Sequence, residues 1–375
     1  MKLTDVVNRI NGNVDRFTTD LEYYIGGEHF ESRELEISNK GLIKPNLNIL
    51  GFKFHFAFQE RDVIFMARNP HLRKAGMVFF SGLCSDASYI LRSKDEKILT
   101  QEYLAVMLQS DHFWDYCEAH KVGSVNFAIN WKTMANYEFD LPSLEKQNEI
   151  SKKVWAAYRL KKSYKKLIEA TDEMVKSQFI EMFGDTPERV ELSSLCETFI
   201  DGDWIEAKDQ AEDGIRLIQT GNVGVGVFKD KGDKARYISE DTFKRLNCTE
   251  VKNGDILVSR LPDPVGRACI IPEGLGKTIT AVDCTIIRLA DKILSKFFIA
   301  FTNTPDYAMQ IKKVLSGTTR LRVSRANLGK IQVPLPAIQK QIEFVSIAEQ
   351  ADKSKFELRK SIEAIDAVIK SLING

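Results

Sequence analysis

The chain repeats itself. LPSLEKQNEI at 141–150 matches LPAIQKQIEF at 335–344 at an offset of 194, with Leu, Pro, Lys, Gln and Glu identical at five of ten positions. At the same offset Gly123-Ser124 matches Gly317-Thr318, and Tyr103-Leu104 matches Phe297-Phe298. At an offset of 193, Asp62-Val63-Ile64 aligns with Asp255-Ile256-Leu257. An ordered series at nearly constant spacing is the mark of an internal duplication, and it constrains the fold more than any motif does.

The segment after each Leu-Pro has helical periodicity. Steps of four and three through the first copy select Ile150, Val154, Ala157, Lys161, Tyr164, Ile168, Thr171, Val175, Gln178 and Met182, seven of ten apolar. The second copy gives Phe344, Ala348, Ala351, Lys355, Leu358, Ile362, Ile365, Ile369 and Leu372, eight of nine apolar, with the lysine at the same place. These are heptad seams. Pro142 and Pro336 suit helix entry, and Gly184 and Gly375 suit the ends. A helix of this length spans roughly 50 Å at ~1.5 Å per residue, so it needs a partner. The expected partner is the other copy, packed antiparallel. The competing reading packs each stripe on its own globular half.

The expected boundaries are a globular domain over 1–140, a long helix over 141–185, a second globular domain over 186–334 and a second long helix over 335–375. The globular halves read as mixed α/β. Strands are expected at 63–67, 77–80 and 87–91, and at 255–259, 267–271 and 284–289. One helix is expected at 101–118 and another at 295–315. YEFDLP and IQVPLP read as the last strand of each half.

Of the 375 residues, 43% are hydrophobic and 28% charged, enough for two modest cores, and the net charge of +1 names no partner. Cys84, Cys117, Cys196, Cys248, Cys269 and Cys284 form no CxxC pair, which fits a reducing cytoplasm. The opening MKLTDVVNRINGNVD lacks an apolar signal core, and no run approaches the ~18 apolar residues of a membrane span.

Motifs for chemistry are weak. GLGKT at 274–278 has Ile271 where a phosphate loop needs its first glycine, so a surface turn is the better reading. GNVGVG at 221–226 has the wrong glycine order for a dinucleotide site and reads as a loop between strands. All five histidines (29, 55, 71, 112 and 120) lie in the first half without metal-ligand spacing, so two equivalent halves cannot share a histidine-dependent reaction. No catalytic or metal site is expected.

Local charge is more informative. Residues 312–330 carry Lys312, Lys313, Arg320, Arg322, Arg325 and Lys330 and no acid. Gly317, Thr318 and Thr319 form a loop among them. Such a loop offers N–H groups and hydroxyls to phosphates, and arginine forks onto guanine. The matching stretch offers Lys121, Gly123, Ser124, Asn126, Asn130, Trp131 and Lys132, and asparagine pairs with adenine. Arg68, His71, Arg73 and Lys74 follow the strand at 63–67, and Arg260 and Arg267 follow its counterpart. Two basic loops per half could therefore line one groove-facing surface. The first long helix carries Lys152, Lys153, Arg159, Lys161, Lys162, Lys165 and Lys166, read as a solvated or docking face.

The ordered features of each half are a GDILVSR-type strand, a Gly-Ser or Gly-Thr loop, a strand ending in LP and a Gln-containing start to a long helix. In them the chain resembles the specificity (S) subunit of type I restriction–modification systems over essentially its whole length. The first half departs in part, with RDVIFMAR where the second has NGDILVSR. The resemblance implies two target recognition domains, each reading one half of a split site in double-stranded DNA. It implies long helices that pair antiparallel as a spacer and dock two modification subunits. S-adenosylmethionine is then expected in those subunits and no cofactor in this chain, with restriction/translocase subunits completing the complex. The other readings are the reader of a methylation-only complex, a coiled-coil interaction scaffold and a self-contained methyltransferase.

Overall fold

The computed structural model describes residues 1–375. It divides into two compact units, Met1–Lys166 with Leu358–Gly375, and Leu167–Glu357. Each unit holds a mixed α/β body and one stretch of each long helix.

The bodies repeat one topology. In the first unit an antiparallel sheet runs in the order Val7–Ile10, Ser88–Ser93, Val63–Met66, Ala75–Met77. In the second the order is Cys196–Asp201, Cys284–Leu289, Ile256–Ser259, Ala268–Ile270. The expected strand at 77–80 is thus displaced upstream. Val78 is buried, but its N–H bonds the Asp62 carbonyl as the chain leaves the ladder (3.0 Å). A second sheet pairs Gly41–Leu42, Tyr23–Ile25, Gly82–Ser85 and Phe54–Phe58 in the first unit. Its counterpart has Arg236–Ile238, Ile215–Ile218 and Thr278–Thr280, with the fourth strand reduced to a bridge between Val251 and Thr278.

The single helices expected at 101–118 and 295–315 are each two. Gln101–Met107 is followed by Asp111–Ala119, and Ser295–Thr302 by Pro305–Lys313. Ser110 and Thr304 cap the second helices by accepting the N–H groups of Phe113 and Tyr307, which starts a new helix axis. IQVPLP forms the strand Gln332–Pro334, whereas YEFDLP contributes only a bridge from Glu138 to Lys2.

The long helices are Leu144–Phe183 and Ile338–Asn374. Pro142 and Pro336 stand two residues ahead of them, outside the first turn. Within each unit the helices run antiparallel. Lys161 meets Asp366 at 2.7 Å in the first unit, and Lys355 meets Asp172 at 2.5 Å in the second. Both seam lysines therefore bind an aspartate of the facing helix, and the two pairs are related by the 194-residue offset. Both readings of the stripes are right in part. Val154, Trp155 and Tyr158 pack into the first unit's core beside Ile369 and Leu372, and Phe179, Phe183 and Phe344 pack into the second's.

Two buried polar devices recur and explain the repeated letters. Gln147 and Gln341 are fully buried. Gln147 accepts the Thr100 N–H (3.0 Å) and donates to the carbonyls of Ile98 and Pro142 (2.8 and 2.9 Å). Gln341 accepts the Leu294 N–H (3.0 Å) and donates to the carbonyls of Lys292 and Pro336 (3.1 and 2.9 Å). Each glutamine ties the start of a long helix to the loop ahead of the helix pair. Asp62 and Asp255 are also buried, and each receives a two-pronged bond from an arginine of the neighbouring strand, Arg92 or Arg288.

Replacing Gln341 with Leu strands one N–H and two carbonyls in a fully buried site. The expected loss is on the order of 2–4 kcal/mol, read by denaturant unfolding. An unchanged midpoint and slope would mean that Gln341 does not anchor the helix.

Candidate nucleic-acid interface

The Gly-Ser and Gly-Thr stretches form the same closed loop. Val122 and Ala128 exchange N–H···O bonds of 2.7 and 2.9 Å, and Ser316 and Arg322 exchange two of 2.9 Å. Gly123 and Gly317 follow the closing residues at φ +109° and +99°. A side chain at Gly317 would run into the Arg320 carbonyl. Glycine is required there for conformation and for space.

Each closed loop lies against the segment that follows the central strand of its unit. Asn69 donates its N–H to the Phe127 carbonyl at 2.7 Å, and Arg68 bridges to Ala128. In the second unit Val323 donates to the Arg260 carbonyl at 3.2 Å. The two segments of each half are thus brought together as the sequence suggests.

Charge distinguishes the halves. Lys312, Lys313, Arg320, Arg322, Arg325 and Lys330 are exposed, and none pairs with an acid. Thr318 and Thr319 expose their hydroxyls beside them. Lys312 and Lys313 close the helix Pro305–Lys313, where the helix dipole favours cations. Arg325 opens a short helix, Arg325–Gly329, capped by Ser324. In the first unit Ser124 and Asn126 are exposed, whereas Lys121 pairs with Glu118 and lies over the Phe127 ring at 4.5 Å. Asn130 accepts the Thr133 N–H at 2.9 Å and caps the helix Trp131–Ala135.

The family described as the type I restriction modification DNA specificity domain matches residues 1–170 and again 185–366. The chain belongs to this family. Its members recognise DNA and carry no catalysis of their own. The MjaVIII type I restriction enzyme specificity subunit of Methanocaldococcus jannaschii is 22% identical over 408 aligned residues, covering 100% of this chain and 90% of that protein. A chain from a structure of type I R-M complex assembly and conformational transition superposes with a TM-score of 0.60 at 16% identity, covering 100% of this chain and 95% of its own. The S subunit from M. genitalium gives a TM-score of 0.53 at 12% identity, with 100% and 94% covered. No helix of this specificity subunit is long and apolar enough to cross a membrane.

Four of the basic residues expected at the interface are drawn into the fold instead. Arg267 donates to four carbonyls, those of Val223, Pro262, Pro264 and Thr220, at 2.6–2.9 Å. Lys74, its counterpart one residue before the matching strand, donates to the Gly27 carbonyl at 2.8 Å. Arg73 binds Asp111 at 2.7 Å and reaches Asp115 at 3.5 Å. The Arg260 guanidinium is 15% exposed and donates to the Val282 carbonyl at 2.6 Å, with Asp201 at 3.4 Å. Arg68 stays exposed and free. The helix lysines are also largely neutralised: Lys161 and Lys165 bind Glu34, Lys162 binds Glu36, and Lys153 binds Glu149. Burial pushes Glu34 upward, but the bonds from Lys165 and Lys161 outweigh it and hold its carboxyl below the ordinary range.

GLGKT is a turn with Gly274 and Gly276 at positive φ, and its Lys277 pairs with Glu240. No group of three or more His, Cys, Asp or Glu side chains is placed to hold a metal. Burial raises the thiols of Cys84, Cys196 and Cys269 to about 12. The capping role of Asn130 was readable: the position 194 residues later is Ser324, another good cap.

Gly317→Ala is expected to distort the loop by about 1–2 kcal/mol. Binding of target duplex by the assembled complex should weaken about tenfold while the thermal melt falls by only a few degrees. Unimpaired binding would mean that the loop conformation is irrelevant to recognition.

Proposed function

We propose that each globular domain of this specificity subunit reads one half of a bipartite target in double-stranded DNA. The two long helices space the domains and dock two modification subunits. Those subunits bring S-adenosylmethionine and methylate the DNA, and restriction/translocase subunits complete a cytoplasmic assembly. The observation that carries this reading is the closed glycine loop, repeated at an offset of 194 with opposite chemistry in its two copies. The second copy has free arginines suited to phosphates and guanine, and the first has Ser124 and Asn126, suited to neutral hydrogen-bonding edges such as adenine. One scaffold carrying two sets of contact groups fits an asymmetric split site.

Long-range attraction would come from the unpaired bases, and its strength would fall with salt. Sequence preference would come from the few side chains that reach base edges. The helix pair fits the spacer role because each long helix supplies core residues to both compact units.

The test uses the chain assembled with its modification subunits. Methylation sequencing first identifies the site. Replacing Arg320, Arg322 or Arg325 singly by Ala should cost about 1–3 kcal/mol where the arginine reads a base. The altered preference should be confined to one half of the site, and Asn126→Ala should affect the other half. Unchanged specificity in all three arginine variants would take the second loop out of the recognition surface.

A further inference from the structure

The second unit carries a glycine-rich hairpin at Val223–Phe228. Its ends bridge through Val223 and Phe228, and Gly224 donates its N–H to the Val227 carbonyl at 2.9 Å. Gly226 donates to Ala268 at 2.9 Å, which fastens the hairpin to the edge strand. Its tip presents two apolar side chains to solvent, Val225 at 56% and Val227 at 54% exposure. Lys229 and Lys231 follow, both exposed and neither paired with an acid. Their side chains lie over Gly224 and Gly221, positions where a larger residue would displace them.

Arg267 ties this hairpin to the second unit's basic loop. Its guanidinium holds the carbonyls of Thr220 and Val223 at the hairpin base. It also holds the carbonyls of Pro262 and Pro264 in the segment that begins at Arg260. The Arg260 carbonyl in turn accepts the N–H of Val323, the residue after Arg322. Hairpin, proline segment and basic loop are therefore linked one to the next by hydrogen bonds.

We propose that the hairpin Val223–Phe228 is a second DNA-contacting element of this unit, engaging the same duplex as the loop at 316–322. This rests on the reading of the unit as a DNA reader. Lys229 and Lys231 meet phosphates, and the two valine tips meet apolar sugar and thymine-methyl surface. The glycines between the valines keep the tip thin enough for the backbone to approach a groove. DNA is the occupant that fits, because the apolar tip is followed by two unpaired lysines, Asp230 between them is held by Arg216, and the hairpin is tied through Arg267 and Arg260 to the basic loop. Arg267 is a positioning residue: it sets where the hairpin stands relative to the basic loop and touches no DNA itself.

The test measures affinity against salt for the assembled methylating complex. The probes are a duplex bearing the site mapped by methylation sequencing and a random-sequence duplex. For the double variant K229Q/K231Q, the slope of log affinity against log salt should shrink by about 2, at ~0.9 per phosphate contact, with the same preferred sequence. Val225→Asp should weaken binding of both duplexes about tenfold, since it sets a carboxylate against phosphates. If both variants match the wild type while Arg320→Ala still alters binding, the hairpin lies off the DNA and the proposal fails alone. If the Ala variants of Arg320, Arg322 and Arg325 are all silent as well, the DNA-reading role of the unit fails with it.

Discussion

The buried glutamine at the head of each long helix is the contact on which the rest of the architecture depends. A helix of 40 residues can leave a globular body at many angles. Gln147 removes that freedom, because its amide joins the Pro142 carbonyl at the helix entry to Ile98 and Thr100 ahead of the helix pair. Every hydrogen-bonding position of that fully buried amide but one is used. Rotation of the helix about its entry would strand these groups, each at about 1–3 kcal/mol. The domain body and the start of the long helix consequently behave as one piece, and Gln341 repeats the arrangement in the second unit.

With the entry fixed, the seam sets register. A lysine in an apolar stripe is destabilising unless a partner meets it, and burial by itself would lower the Lys161 pKa. Asp366 and Glu34 reverse that and raise it. Lys355 finds Asp172 and Asp352 in the same way. A one-turn slip of the helices would separate both cross-helix pairs. The polar seam positions thus contribute specificity of alignment, while Phe179, Phe183 and Phe344 in one unit and Val154, Trp155 and Tyr158 in the other anchor the helices in the two cores.

Much of this was legible because the repeated letters are the positions physics restricts most. Gly123 and Gly317 need positive φ, Gln147 and Gln341 satisfy three backbone groups each, and Asp62 and Asp255 need their arginines. The site was less legible, because a sequence shows a charge without showing what lies opposite it. Arg267 and Arg320 look alike in the chain, yet one binds four carbonyls and the other binds nothing. Lys161, Lys162 and Lys165 resemble a docking face until Glu34 and Glu36, more than 120 residues earlier, fold onto them. Helix breaks at Ser110 and Thr304 are hidden in the sequence because the apolar pattern continues across them and only the caps mark the change of axis.

The unpaired bases around the loop at 316–322 have a consequence for the free protein. Six cations within 19 residues, with no acid among them, repel one another when no DNA is present. Added salt screens that repulsion over about 10 Å at ~0.1 M, so the isolated loop becomes easier to keep closed. The same salt takes away the advantage of exchanging counterions for phosphates. If the loop binds a polyanion, its order and its grip would therefore respond to ionic strength in opposite directions, and the element would be least ordered in the dilute conditions where binding is strongest.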